Sequence, residues 1–201
     1  MEFISLLSDH LNLIILLLAG FFGVRLFNRL VRLNNYCKNA FSQIDVQLKR
    51  RHDLIPNLVE SAKAYLKHEQ KTLEAVISAR NRASSALKKS GSSPTSESMK
   101  GVMGAEAMLG QALGGLFAVM ENYPDLKADQ TMDRLMEELT ATENRIAFAR
   151  QAFNDAATDF NTQRETFPDL ILVRLFNFKE SPLWEISDDN ERRSASVSFD
   201  R

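Results

Sequence analysis

The stretch "VQLKRRHDLIPNLVE", residues 46–60, sets Lys49, Arg50, Arg51 and His52 in a row and follows them with Asp53 and Pro56. Read one way, it is a helix end followed by a helix start. Basic side chains suit the negative end of a helix, Asp is a good N-cap, and proline is tolerated in a first turn, where amides lack helical partners. Read the other way, a single helix runs through. Positions 26, 30, 33, 37, 40, 44, 47, 51, 54 and 58 step by fours and threes and read Leu, Leu, Leu, Cys, Ala, Ile, Gln, Arg, Leu, Leu. That is an apolar seam with two polar intrusions, and its phase survives across the proline. Continuity, however, loses the hydrogen bond to the His52 carbonyl, at about 3 kcal/mol. A turn at Asp53–Pro56 is therefore the preferred reading, with a kinked continuous helix as the alternative. Such a turn would bring Cys37 level with Thr72 and turn the basic run toward Asp125, Asp129 and Asp133.

Upstream lies "LNLIILLLAGFFGVRLF", Leu11 to Phe27, at the short end of what spans a bilayer. The residues before it carry Glu2 and Asp9 instead of a basic cluster, and no small-x-small cleavage pattern follows. A retained transmembrane anchor over 11–27 is expected, not a secretory signal. Arg25, Arg29, Arg32 and Lys38 come directly after the apolar core of the span. By the positive-inside tendency they place residues 1–10 outside and the body in the cytoplasm, at a bacterial inner membrane, and they are candidate contacts for anionic lipid headgroups. A formal net charge of −1 argues against a nucleic-acid partner. Cys37 is the single cysteine, so no intramolecular disulfide is possible, and on an apolar seam it reads as a small core residue.

Downstream, a second helical stretch runs from Asn57 to about Lys89 and stops at the loop "KKSGSSPTSES". A third covers about Glu97 to Asn122 and is closed by Pro124. Its Gly110 and Gly114-Gly115 are expected where helices pack closely. A fourth starts at Asp129, an N-cap type, and carries the seam 132, 135, 139, 142, 146, 149, 153, 156, 160, 163, 167 before Pro168. Gln47, Thr142 and Gln163 sit on seams as buried polar groups that set register. "LILVRLFNFKESPLWEI", residues 170–186, is dense in large apolar side chains. It is either a lid over the end of the body or a partner or membrane surface, with Leu170, Ile171, Leu175, Phe176, Phe178 and Trp184 as candidates. Residues 181–201 read as a flexible tail.

The expected fold is all-α: a transmembrane helix, then an up-and-down antiparallel four-helix bundle over 28–180. The alternative is a long first helix kinked at Pro56 plus two further long helices; its unpaired seam would favour a homo-oligomer. No catalytic residue, cofactor or metal ligand is expected. The Glu-x-x-His pairs of di-iron bundles are missing, "HEQKT" at His68 is not His-Glu-x-x-His, and nothing resembles a phosphate-binding glycine loop. The chain does not read as an enzyme.

"NAFSQIDVQLKRRHDLIPNLVESAKAYLKHE", "LFAVMENYPDLKA", "EELTATENRIAFARQAFNDA" and "FNFK" resemble, in order and spacing, the signature segments of the bacterial LemA family. The resemblance covers about residues 27–180. Asn34 stands where the family more often has a basic residue, and Phe41 where tryptophan is usual. The resemblance implies a short outer N-terminal tail, one membrane span and a cytoplasmic helical domain. It implies a helper or scaffold role, one branch of the family serving membrane-organelle formation, and it carries no catalytic residues over. Membrane lipid and a protein of unknown identity are the expected partners. A membrane-shaping protein acting on anionic lipid is the alternative.

Overall fold

The computed structural model describes residues 2–184. Residues 185–201 of the expected tail lie outside the described residues. Every regular element described is a helix: α1 Glu2–Lys63, α2 Gln70–Ser90, α3 Ser96–Met120, α4 Pro124–Lys127, α5 Gln130–Glu165 and α6 Asp169–Phe176.

The preferred turn at Asp53–Pro56 is not there. α1 passes through Pro56 and ends seven residues beyond it, at Lys63. Two forces outweigh the proline. The seam is one of them: Leu30, Cys37, Ile44, Arg51 and Leu58 are buried, and a turn between Arg51 and Leu58 would break that stripe. The other is a replacement donor. Pro56 has no N–H for the carbonyl of His52, and Arg80 of α2 supplies one, its Nε donating to that oxygen at 2.8 Å. The loss that argued for a break is thus repaired from a different helix.

The chain turns instead over residues 64–69, where the Ala62 carbonyl accepts from both Tyr65 and Leu66. Leu66 is buried there. α2 returns and ends at Gly91, whose φ of +64° belongs to glycine. A capping box starts α3: Thr95 accepts from the Ser98 amide, and Ser98 Oγ accepts from the Thr95 amide. Asp129 caps α5 as expected, its Oδ1 accepting from Thr131 and Met132 at 2.9 and 3.0 Å. Those amides, together with the Tyr65 hydroxyl that donates to Oδ2, hold the Asp129 carboxyl below its ordinary range.

α5 lies antiparallel to α1 and packs on it most extensively; α2 packs on α3 and on α1. Cys37 is therefore level with Ala156, to whose carbonyl its Sγ donates at 2.9 Å, and not with Thr72. Burial pushes that thiol up. Phe41 meets Phe153 edge-on at 5.7 Å. With α5 covering the α1 seam, the unpaired stalk that argued for self-association disappears.

The apolar interior falls into two clusters. One, nearer the turn at 64–69, gathers Ile55, Leu58, Leu66, Val76, Leu109 and Leu116. The other gathers Phe41, Ile44, Leu48, Met99, Ile146, Phe153 and Phe160. Beyond α5 the chain doubles back. Asn161 and Asn154, seven residues apart on α5, each exchange two hydrogen bonds with the backbone of Ser181 and Trp184, at 2.8–3.0 Å. Residues 181–184 are thereby held to the body, and α6 lies against α5 and the start of the α1 seam.

The role of Arg80 can be checked by equilibrium urea unfolding. Arg80→Met leaves the His52 carbonyl without a donor and should cost about 1–3 kcal/mol. In a Pro56→Ala background, where residue 56 offers its own N–H, the same substitution should cost clearly less; equal costs would show that Arg80 acts elsewhere.

Candidate functional site

Between the two apolar clusters, charge is buried. On α1 it is Arg51 and His52, between Leu48 and Ile55; on α3 it is Glu106, between Val102 and Leu109. Arg51, His52 and Glu106 are 5%, 2% and 3% exposed. The carboxylate is engaged at both oxygens, Oε1 facing His52 Nε2 at 2.7 Å and Oε2 accepting from Arg51 Nη2. Arg51 Nη1 reaches across to the half-exposed Glu143 of α5. Burial raises the Glu106 carboxyl, but the His52 hydrogen bond, the Arg51 charge and the bonds between them outweigh it and hold Glu106 below its ordinary range. A buried carboxylate with both oxygens occupied and weakened basicity is not placed to take a proton from a substrate.

The basic run is thus not helix-end chemistry. Of its four members, Arg51 and His52 form this layer, Arg50 pairs with Glu138 at 3.5 Å, and Lys49 with Asp45 at 2.6 Å. Asp129 takes the Tyr65 hydroxyl instead.

The layer forms part of the wall of a groove of about 780 Å³ between α3 and α5. Gly104, Ala107, Gly110 and Gly114 of α3 line one side, with Leu113 and Phe117; Met136, Leu139, Thr140 and Asn144 of α5 line the other. A Cβ placed on Gly104, Gly110 or Gly114 would meet nothing within 4 Å among the described residues. Close helix packing against these glycines, the expectation from sequence, is not what occurs: they face open space. At one end Arg150 lies over the Trp184 ring, 4.9 Å from its centroid. Burial pulls the Arg150 guanidinium below its ordinary value. Arg51 Nε and Arg150 Nε are buried and have no hydrogen-bond partner among the described residues.

The chain matches the LemA family's sequence profile over residues 40–199. It belongs to the LemA family. Among curated relatives, it is 28% identical to "Protein LemA" of Metamycoplasma hominis over 140 residues, 70% of this chain and 60% of that one. It is 34% identical to "Magnetosome protein MamQ 2" of Paramagnetospirillum magneticum over 86 residues, 43% of this chain and 32% of the relative. With "Magnetosome protein MamQ" of Magnetospirillum gryphiswaldense it shares 35% over 80 residues, 40% and 29% of the two chains. The chain thus spans about a third of the MamQ relatives' length.

The other predicted surfaces divide. Arg25, Arg29 and Arg32 line a second cavity, of about 920 Å³, with the residues that open α6. Lys38 stands apart, beside the loop at Ser92–Ser96. Of the apolar candidates, Ile171, Leu175 and Phe176 are exposed, at 58%, 72% and 53%, and Leu170 is half-buried. Trp184 is buried and Phe178 packs against the same core cluster, so neither is free surface. The residues that sequence reasoning missed are Glu106, Glu143 and Arg150. Glu106 left a trace: it is the one charged member of the buried α3 row Met99, Val102, Glu106, Leu109, Leu113, Leu116.

Glu106→Gln leaves Arg51 buried beside a neutral amide and should cost about 3–5 kcal/mol at neutral pH. Because the folded carboxyl lies below the ordinary glutamate value of 4.5, its contribution is present above that pH and lost as pH falls beneath it. The stability gap between parent and variant should therefore close on acidification from pH 5 downward, read by urea unfolding at each pH.

Proposed function

We propose that this LemA-family protein is a non-enzymatic, single-pass scaffold at the cytoplasmic face of a bacterial inner membrane, binding a protein partner in the groove between α3 and α5. In this reading the body is an up-and-down four-helix bundle whose first helix is the C-terminal half of α1, with the N-terminal half as the anchor. α1 includes a segment long and apolar enough to cross a membrane, as does α3 by the same measure. The α3 segment is partly buried and carries the ion-paired Glu106, which suits a place in the body. Similarity to proteins named for the magnetosome supports a membrane setting, and the basic flank at Arg25, Arg29, Arg32 and Lys38 supports the orientation.

The observation that carries the partner reading is the glycine face. Each glycine in a helix interior destabilises it by about 1 kcal/mol relative to Ala, and Gly104, Gly110 and Gly114 gain no packing among the described residues in return. A helix laid in the groove would supply that packing, and its polar groups would find Arg51 Nε and Arg150 Nε. Gly114→Leu should then raise the unfolding free energy by roughly 0.5–1 kcal/mol through helix propensity while abolishing partner capture. A photoreactive residue at Gly110 of the full chain in native membranes should give a discrete adduct that one at Ser85, exposed on α2, does not. Adducts of equal yield at both positions would remove the groove from consideration.

The lipid reading has its own support. Phe176 of α6 packs tilted against Phe27, ring centroids 4.8 Å apart, which puts the exposed Ile171, Leu175 and Phe176 beside the end of the apolar segment. Helices so placed seat their apolar face in a bilayer interface. The anchor itself is tested by washing membranes with carbonate: the protein should stay in the pellet, and its release would defeat the single-pass reading.

A further inference from the structure

The cavity at the start of α6 joins the basic flank, so far used only for its charge, to a buried carboxylate that neither reading above uses. Arg25, Arg29 and Arg32 follow one another at four- and three-residue steps, so they share one face of α1. None of them is in an ion pair among the described residues. Asp169, 2% exposed, also lines the cavity, and its Oδ1 has no hydrogen-bond partner among the described residues. A buried carboxylate oxygen without a donor is expensive, so the site lacks one N–H or O–H at this point. Phe21 and Phe22, 69% and 53% exposed, complete the wall on the side of the apolar segment. At about 920 Å³ the cavity is of a size that takes a small molecule.

Guanidinium groups recognise phosphate oxygens, an unpaired carboxylate oxygen calls for a charged donor, and exposed phenylalanines face hydrocarbon. We propose that this cavity binds the headgroup of an aminophospholipid, the phosphodiester accepting from Arg25, Arg29 and Arg32 and the primary ammonium donating to Asp169 Oδ1. The acyl chains then run past Phe21 and Phe22. The inference rests on the anchoring reading, because a bilayer must lie at the level of these phenylalanines. It distinguishes among lipids by chemistry. Phosphatidylcholine carries the same charges but has no N–H to donate, and phosphatidylglycerol offers only neutral hydroxyl donors to a buried carboxylate.

The test uses the full-length protein in nanodiscs containing equal parts phosphatidylethanolamine, phosphatidylglycerol and phosphatidylcholine, with retained lipid identified by native mass spectrometry after transfer to mild detergent. Phosphatidylethanolamine should be retained over phosphatidylcholine by roughly tenfold, the scale of one charge-assisted hydrogen bond. Asp169→Asn should bring that ratio close to one while some phospholipid stays bound. Arg25→Gln with Arg29→Gln should lower retention of all three lipids. Millimolar inorganic phosphate should displace none of them. Equal retention of the three, a preference for phosphatidylglycerol, an unchanged ratio in Asp169→Asn, or displacement by phosphate alone would each overturn the proposal. Circular dichroism of the variants guards against misfolding, and Asp169→Glu, which keeps the charge, should restore part of the preference. Carbonate washing of the same membranes reports the anchor separately, so loss of lipid preference with the protein still pelleted fails this inference alone.

Discussion

The buried contact between Arg51 and Glu106 sets the register of the body. Apolar seams that repeat every seven residues tolerate a slip of one heptad, since leucine, isoleucine and alanine replace one another along α1 and α5. The ion layer does not. If α3 or α5 slides by a turn, Arg51 loses Glu106 or Glu143, and a buried charge without its partner costs several kcal/mol. Three helices therefore agree on one alignment at one level, with apolar clusters above and below it. The same layer forms part of the wall of the α3–α5 groove, so the element that fixes the alignment also shapes that groove.

What could be read from sequence and what could not follows from where the deciding group sits. α5 was legible because its cap, its seam and its closing proline all lie within the segment: Asp129 caps it, and the seam from Met132 to Gln163 is buried or half-buried throughout, with only Phe167 turned out at 76% exposed. The fate of Pro56 was not legible, because the donor that replaces its missing N–H comes from Arg80, on another helix. The true turn, "AYLKHE" at 64–69, contains no glycine, proline or asparagine; the burial of Leu66 marks it, and burial is a tertiary property. The ion layer was half visible. Arg51 and Glu106 are each the one charged intruder on a mainly apolar seam, and two such intruders of opposite sign on neighbouring helices invite pairing. Glu143 and Arg150 gave no such sign, since their seam neighbours are ordinary and only the path of α5 across α1 brings them in.

Membership of the LemA family rests on residues 40–199. That interval begins inside α1, beyond the apolar segment, and includes the ion layer, the groove and the α6 return. The shared unit is accordingly the helical body. The return is secured by backbone-mimicking amides: Asn154 and Asn161 treat the segment ending at Trp184 as a neighbouring strand would, donating to a carbonyl and accepting from an amide at each site. This positions α6 without a long apolar contact of its own and leaves Ile171 and Leu175 facing outward.

The passage of α1 through Pro56 has a mechanical consequence. An anchor joined to its domain by a loop lets the domain tumble; here the apolar segment and the body share one uninterrupted rod, stiffened on its inner side by α5. From Phe27 to Lys63 that rod is about 54 Å long, so a tilt of roughly 20° in a bilayer would carry its far end sideways by about 18 Å. The body is in effect a lever arm. If the apolar segment is the anchor proposed above, changes in membrane thickness or curvature that reorient it would be delivered, magnified, to the residues around the turn at 64–69, along one continuous helix.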